Sequence, residues 1–384
     1  MPVPWAEETT ADLTMPRQTW TARGPAIRPL LMRLRLPQNQ HLLQNIANLC
    51  CFFSTCGTRP RSRMGELRNL LRGRHARKRT SMAASSAVTN GFDFDATHHA
   101  IAAIRRKQVF FVGGAAKSGT TWLQFLLNAH PEISCTGEGH FANKLLPGLA
   151  KALKTHNATL ESKSSSIFAR LNEQPLLTNR HTLYLATAAI CLLLCPPGKV
   201  DLTRIVGDKT PDNVRHFTLL ATMFPQAKFI HIVRDARDCA VSAWFHNQRV
   251  SPEPFSKQFA SFHEFTGAFA KAWVLNVSLG AKFAAEQPER CLTIRYEDLS
   301  QDPVAMFTQV CGFLGASTDL AVLQACCETA DFAHLSGGRS RGQEDRNSFF
   351  RQGLPGDWRG HFDTSADLAF RAKVEPWIST FRYL

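Results

Sequence analysis

The sequence predicts an α/β fold, a three-layer sandwich around a parallel sheet, on three observations. Short apolar runs at 109–112, 204–206, 228–233 and 291–296 alternate with longer stretches of helical pattern, the alternation of strand and crossover helix that builds parallel sheets. The run KFIHIV at 228–233 is apolar almost throughout, as expected of a strand covered on both faces. The run at 109–112 breaks at Gly113 and Gly114 and is followed, after a short loop, by an amphipathic stretch from Trp122. That succession reads as strand, glycine loop and helix.

Of the 384 residues, 1–80 carry 14 Lys and Arg against 4 Asp and Glu, whereas the remainder has 31 against 27. The net charge of +14 therefore resides mostly in the N-terminal part, and basicity alone does not argue for nucleic-acid binding by the folded part. Arginines, prolines and weak periodicity predict a basic, mostly disordered leader over 1–95, with a short helix near 42–47. Its composition suits an organelle-targeting leader or a nucleic-acid or membrane arm, and Met82 opens MAASSAVTNGFDFD, a sensible start for a shorter chain. One compact domain is expected over 96–384, without internal repeats. No run of about 20 apolar residues is present, and residues 1–10 lack the charged and apolar regions of a secretory signal. Eleven cysteines without zinc-type C-x-x-C pairs point to reduced, buried thiols and a cytoplasmic protein. His98, His99, His246 and His263 stand at no metal-binding spacing, and no metal is expected.

The loop after the first strand carries Lys117, Ser118, Gly119, Thr120 and Thr121. Glycines let the backbone approach a phosphate, the hydroxyls add donors, and a helix start directs its dipole at an anion. A P-loop counted from Gly114 would need its lysine after Gly119, where Thr120 stands; Lys117 lies inside the loop instead. The motif is a phosphate loop, but not that of an ATPase. Residues 142–194 read as mostly helical with a serine-rich break at 162–166, where an acceptor-binding insertion would sit. The strand at 204–206 leads to Gly207, Asp208, Lys209, Thr210 and Pro211, then to a helix over 212–224 stopped by Pro225. Helices are expected over 234–248, over 262–287 and from about Pro303. Arg234 stands at the end of the strand 228–233, with Ser242 eight residues on in the next helix. Ligands of open parallel sheets bind at such strand ends, and a guanidinium can fork two phosphate oxygens.

The hexapeptide Lys-Ser-Gly-Thr-Thr-Trp at 117–122 resembles the 5′-phosphosulfate loop of the sulfotransferases that use 3′-phosphoadenosine-5′-phosphosulfate (PAPS). The segment FIHIVRDARDCAVSAWFHN at 229–247 resembles the 3′-phosphate element of that family, which implies Arg234 and Ser242 as ligands. FFRQGLPGDW at 349–358 resembles the family's R-K-G-x-x-G-x-W segment, which implies Arg351 and Gly353; Gln352 replaces the family lysine. By the same resemblance Trp122 is the stacking tryptophan, Phe332 the second aromatic of the adenine clamp and Tyr296 the tyrosine near the adenine. One of Arg339, Arg341 and Arg346 would line the nucleotide site. These motifs span nearly all of the chain beyond the leader. They imply the P-loop nucleotide-kinase-like sulfotransferase fold and transfer of a sulfuryl group from PAPS to a hydroxyl or amine, releasing adenosine 3′,5′-bisphosphate without a metal.

Cytosolic members of that family use a histidine in a K-T-H segment, but here 208–211 reads D-K-T-P and Pro211 takes its place. The run HPEISCTGEGHFANKLLP at 130–147 resembles instead the tyrosylprotein sulfotransferases, in which a glutamate soon after H-P-D is the base. That resemblance implies Glu138 as base, with Lys117 and Lys209 stabilising the transferring group; His140 is the rival base and Ser336 a further candidate at the sulfonate. In-line positioning and charge stabilisation would do most of the work. A small molecule, lipid or glycan is the expected acceptor. The competing readings are a P-loop kinase and a non-catalytic nucleotide- or polyanion-binding protein.

Overall fold

The computed structural model describes residues 93–166, 175–194 and 203–383, and of 163–166 the backbone alone. Residues 1–92, and with them nearly all of the expected leader, lie outside the described residues. Helix α1 (Phe94–Arg105) opens the described part, with the Asp93 carboxylate accepting from Ala96 N at its start. Strand β1 (Gln108–Gly114) follows, then α2 (Thr120–Ala129), strand β2 (Ile133–Gly137), α3 (Leu146–Ser166) and α4 (Asn179–Leu193). Strand β3 (Ile205–Lys209) leads through a 3-10 turn at Pro211–His216 to α5 (Phe217–Met223), and β4 (Lys228–Val233) leads to α6 (Ala236–Val250). After α7 (Pro252–Gln258) and the long α8 (Phe262–Glu286) comes β5 (Cys291–Arg295). It is followed by α9 (Tyr296–Gln301), α10 (Pro303–Leu314), α11 (Leu320–Thr329), α12 (Phe332–Ser336), α13 (Thr364–Val374) and α14 (Trp377–Thr380).

The five strands form one sheet in the order β2-β3-β1-β4-β5, parallel at every pairing. Side chains alternate across it. Phe110, Val112, Ile230 and Ile232 pack on one face with Leu123, Leu126, Phe307 and Leu323 from α2, α10 and α11. Val109, Phe111, Val206 and Phe229 pack on the other with Ile190, Phe217, Leu220 and Phe283 from α4, α5 and α8. Apolar residues on both faces of the same strands make this a three-layer sandwich, as expected. From β1 the chain crosses to β2 at one edge, returns through β3 beside β1, and then passes over to β4 and β5 on the other side, so the direction of the crossovers reverses beside β1. The crevice at the carboxyl ends of those strands is where such sheets bind ligands.

Four elements differ from expectation. Strand β2 does not announce itself, because ISCTG is short and mixed in polarity; it forms by pairing Ile133 through Gly137 with Ile205 through Lys209. The serine-rich stretch does not break α3, whose backbone stays helical through Ser166. The helix expected over 212–224 is split, because buried Asn213 donates to Asp208 Oδ2 at 2.9 Å and Val112 O at 3.2 Å. Those bonds hold its first turn against the sheet. Tyr296, expected at a strand end, begins α9.

Candidate active site

Each strand hands a side chain to the same edge of the sheet. Strand β1 runs into the loop bearing Lys117, β2 is followed by Glu138, β3 ends on Lys209, β4 is followed by Arg234 and β5 by Tyr296. The register explains the convergence: Gly137 pairs with Lys209, Lys209 with Val112, Gly114 with Ile232 and Val233 with Arg295, so the five ends lie within three residues of one another. A single cleft is lined by Lys117, Gly119, Thr120, Thr121, Trp122, Glu138, Arg234, Ser242, Tyr296, Phe332, Arg351 and Gly353. Of the residues singled out in the sequence, Ser118, Lys209, His140, Ser336, Arg339 and Arg346 do not line it. Ser118 is fully buried with its Oγ unpartnered, and Lys209 stands behind Glu138.

The glycines of the first loop are packing requirements. A Cβ on Gly114 would lie 2.3 Å from the Ile232 carbonyl oxygen and 2.8 Å from Ser118 Oγ. Gly119 has φ +94°, and a Cβ there would lie 2.4 Å from the Tyr296 ring. Helix α2 therefore begins tight against β4 and α9, with its positive dipole end at the cleft. Lys117 itself has φ 67°, a costly backbone for a lysine, and its Nζ lies 4.4 Å from the centre of the Phe349 ring.

Glu138 and His140 share that unusual backbone, with φ 52° and 49°. Three of the four described non-glycine residues at positive φ therefore cluster here, and strained backbone concentrates where geometry is over-determined. The cause is visible. Glu138 N donates to Lys209 O at 2.7 Å and Gly139 N to Asp208 Oδ1 at 2.9 Å. Asp208, buried, also accepts from Thr210 Oγ1 at 2.8 Å and from Asn213, while burial raises its carboxyl. Lys209 Nζ donates to Glu138 Oε1 at 2.9 Å and to Thr121 Oγ1 at 3.3 Å. His140 Nε2 is 3.8 Å from Glu138 Oε2, and Asn143 Nδ2 reaches both His140 Nδ1 at 3.3 Å and Asp212 Oδ2 at 3.0 Å. The side chain of Lys209 is 3% exposed and that of Glu138 34%, so the ammonium is fixed and the carboxylate faces the cleft.

Across the cleft, Arg234 lies over the Tyr296 ring at 4.3 Å. Its Nη atoms donate long 3.4 Å bonds to Lys117 O and Leu354 O, Asp238 is 3.6 Å away, and Nε is buried without a partner. Trp122 meets Tyr296 edge-on at 5.7 Å and donates to Ala330 O. A Cβ on Gly353, at φ +73°, would strike the Phe332 ring at 2.4 Å, so Gly353 and Phe332 are one packed unit. Arg351 donates to Glu344 Oε1 at 2.6 Å and is paired with Asp357. Among the three arginines before it, Arg341 lines the cleft and lies over Trp122 at 5.1 Å. Arg339 instead donates to the carbonyls of Gln343, Arg351 and Phe350. Arg346 pairs with Glu344. Ser336 bonds to Ala333 O and Arg339 O and does not line the cleft, whereas Gln352 does.

Sequence reasoning weighed His246 for metal binding alone. It lines the cleft one helical turn after Ser242, so the i,i+4 spacing carried the signal. Arg249 Nη2 lies 3.1 Å from His246 Nδ1; a guanidinium only donates, so that nitrogen accepts and Nε2 carries the proton of the neutral ring. Burial first, then Lys117 and Arg249, lowers His246 to about 3.

A sequence model described as "Sulfotransferase family" matches residues 109–319, more than half of the chain. The chain belongs to the sulfotransferase family. It is 25% identical to the protein-tyrosine sulfotransferase of Drosophila melanogaster over 57% of this chain and 40% of that protein. To human sulfotransferase 1C2 it is 26% identical over 38% of this chain and 55% of the relative. The chain thus spans about half the length of the curated relatives it matches. A mouse sulfotransferase, SULT7A1, solved with PAP aligns at 20% identity over 70% of this chain and 83% of that one, with a TM-score of 0.43.

The donor set of this sulfotransferase chain suits an anionic ligand beside aromatic surface. Arg234 carries an unsatisfied buried Nε, and its Nη atoms have only long contacts, to two carbonyls at 3.4 Å and to the Asp238 carboxylate at 3.6 Å; a guanidinium so placed favours an anion. Trp122, Tyr296 and Phe332 supply apolar ring surface beside it. Among the described residues no helix is long and apolar enough to cross a membrane.

Proposed function

We propose that the domain over 96–384 transfers a sulfuryl group from PAPS to a hydroxyl or amine acceptor and releases adenosine 3′,5′-bisphosphate. The observation that carries this reading is the meeting of Glu138, Lys209, Lys117 and Arg234 on one strand-end edge, with Glu138 held against Lys209 at 2.9 Å. PAPS, when bound, supplies an activated sulfuryl group on a phosphate leaving group. Arg234 and Ser242 hold the 3′-phosphate, with Arg351 and the Gly353 backbone closing on it. Trp122 and Phe332 hold the adenine ring, with Tyr296 beside it. The backbone of Gly119 to Thr121 and the start of α2 hold the 5′ end, and Lys117 stabilises charge there. Buried Ser118 supports this loop from behind. Glu138 takes the acceptor's proton at its carboxylate, and Lys209 holds that carboxylate in place and offsets charge on the transferring group. His140, within 3.8 Å of Glu138, orients it.

The acceptor proposed is a small molecule, lipid or glycan precursor, a choice supported by Leu335, Phe349, Phe350 and Leu354 in the cleft lining. A cytoplasmic location is supported by the seven described cysteines, all free and six of them buried, as in reducing compartments. Calorimetric titration of the full chain with adenosine 3′,5′-bisphosphate and with ATP, both without Mg²⁺, tests the nucleotide. Tight bisphosphate binding and weak ATP binding are expected, and preference for ATP would return the loop to the kinases. With an acceptor found by screening, Glu138→Gln should lower turnover by about 10²–10⁴-fold while leaving bisphosphate affinity within a factor of about two. An unchanged rate would remove Glu138 from the chemistry.

A further inference from the structure

Arg351 is placed in the cleft to meet a phosphate, yet its guanidinium is already engaged by carboxylates. Nη1 donates to Glu344 Oε1 at 2.6 Å and to Gln352 Oε1 at 3.3 Å, and Nη2 is paired with Asp357. Its side chain is 11% exposed. Arg234, in the opposite wall, has nothing comparable: carbonyl oxygens at 3.4 Å and one carboxylate at 3.6 Å. Arg351 Nε, like that of Arg234, is buried without a partner, but a phosphate forking the outer end of the guanidinium needs both Nη atoms, and Glu344 sits on Nη1.

Glu344 also has somewhere to go. Its other oxygen, Oε2, lies 3.3 Å from Arg346 Nε, on a side chain that is 64% exposed. Losing Arg351 would therefore leave the carboxylate paired and near water, which keeps the exchange inexpensive. Asp357 stays on Nη2 and preserves the direction of the guanidinium. The backbone on either side of Glu344 stays held, with Gly342 N donating to Gln352 O at 2.8 Å and Asp345 N to Arg351 O at 2.9 Å, so the exchange needs only the Glu344 side chain to turn from Arg351 to Arg346.

We propose that Glu344 is an internal competitor of the nucleotide's 3′-phosphate for Arg351, so that binding exchanges carboxylate for phosphate and product release is assisted by the carboxylate's return. The inference rests on the nucleotide reading above and adds to it a residue that weakens binding. Glu344→Gln keeps the size and a hydrogen-bonding oxygen but removes the charge. In calorimetric titrations of the full chain, this substitution should tighten adenosine 3′,5′-bisphosphate about threefold to tenfold, the scale of a partly exposed ion pair. Adenosine 5′-monophosphate, which lacks the 3′-phosphate, should bind both proteins equally. Asp345→Asn, which removes the same charge one residue away, should leave bisphosphate affinity within a factor of about 1.5, the scale of a solvent-screened charge. Bisphosphate affinity that is unchanged or weaker in Glu344→Gln would overturn the proposal and make Glu344 a positioning residue for Arg351. Equal tightening for the monophosphate, or with Asp345→Asn, would overturn it in favour of a general field effect. Failure of the unaltered chain to bind bisphosphate at all would strike the nucleotide reading itself, and this inference with it.

Discussion

The wall of the cleft made by strand ends and the wall made by residues 337–356 face the same space but are held by different forces. In the first, Gly114 lies against the β4 backbone, Gly119 against Tyr296, and Lys117, Glu138 and His140 are locked at positive φ. In the second, no strand contributes: Arg339 is tied to three carbonyls and Arg351 to Glu344 and Asp357. Close packing tolerates almost no displacement, whereas ion pairs at partly exposed positions can trade partners at small cost. On the nucleotide reading and the exchange proposed above, the first wall is a preformed anion seat and the second closes by exchange.

The largest effect that tests this difference comes from adding one carbon to each wall. Gly114→Ala puts a Cβ 2.3 Å from the Ile232 carbonyl oxygen, and relief requires parting β1 from β4, so a loss of about 3 kcal/mol is expected in urea unfolding. Gly353→Ala meets only the Phe332 ring at 2.4 Å, at φ +73°. About 1–2 kcal/mol is expected there, chiefly the cost of the left-handed backbone. Equal losses would mean that the two walls are equally rigid.

Next in size is the pair of arginines. Arg234→Ala removes a guanidinium whose own contacts are weak, so nearly all of its attraction for a phosphate is lost. Bisphosphate affinity should fall about 100-fold, as for a charged hydrogen-bonding group. Arg351→Ala removes one whose gain is offset by the broken Glu344 pair, and a fall of only about threefold to tenfold is expected. Titration calorimetry on the two variants decides the matter; the reverse order would undo the contrast between the walls.

The same contrast explains what could be read from the sequence. The first wall was legible because its chemistry is local: glycine spacing, Lys117 inside the loop, and Arg234 at the end of an apolar run are consecutive features. Strand β2 was not legible, since ISCTG is ordered by its neighbour β3 rather than by its own pattern, although Glu138 directly after it was found by resemblance. The second wall yielded Arg351 and Gly353, but not Glu344's hold on Arg351, which depends on how a loop without repeating structure folds back. His246 was seen and assigned to no role, because its value lies in sharing a helix face with Ser242. Lys209 was read as lying just past a strand at 204–206, whereas β3 runs on to Lys209 itself, and its burial behind Glu138 follows only from the level register of β2 and β3.

The preformed wall has a weakness of its own, in the strand that carries Arg234. His231 on β4 is fully buried, neither ring nitrogen has a partner, and a Cβ on Gly280 would lie 2.4 Å from the ring. Burial lowers it to about 3, while in the unfolded chain it titrates near the ordinary value of about 6.5. Below that value the unfolded state binds a proton that the folded state refuses. Stability is therefore fully present above pH ~6.5 and is lost as pH falls toward the folded value, by about 1.4 kcal/mol per pH unit from this one group. Asp208 and Asp235, raised by burial, bend the profile the other way, so the absolute slope mixes several groups. The comparison with His231→Leu isolates the histidine, because those carboxylates are common to both proteins. Urea midpoints measured from pH 7.0 to 5.5 should show the unaltered chain losing about 1 kcal/mol more than the leucine variant between pH 6.5 and 5.5, because the unfolded imidazole is already half protonated at the start of that interval. Parallel profiles would mean that protonation of this imidazole is accommodated inside the sheet, and that the packing under Arg234 is looser than the glycine contacts on either side of it require.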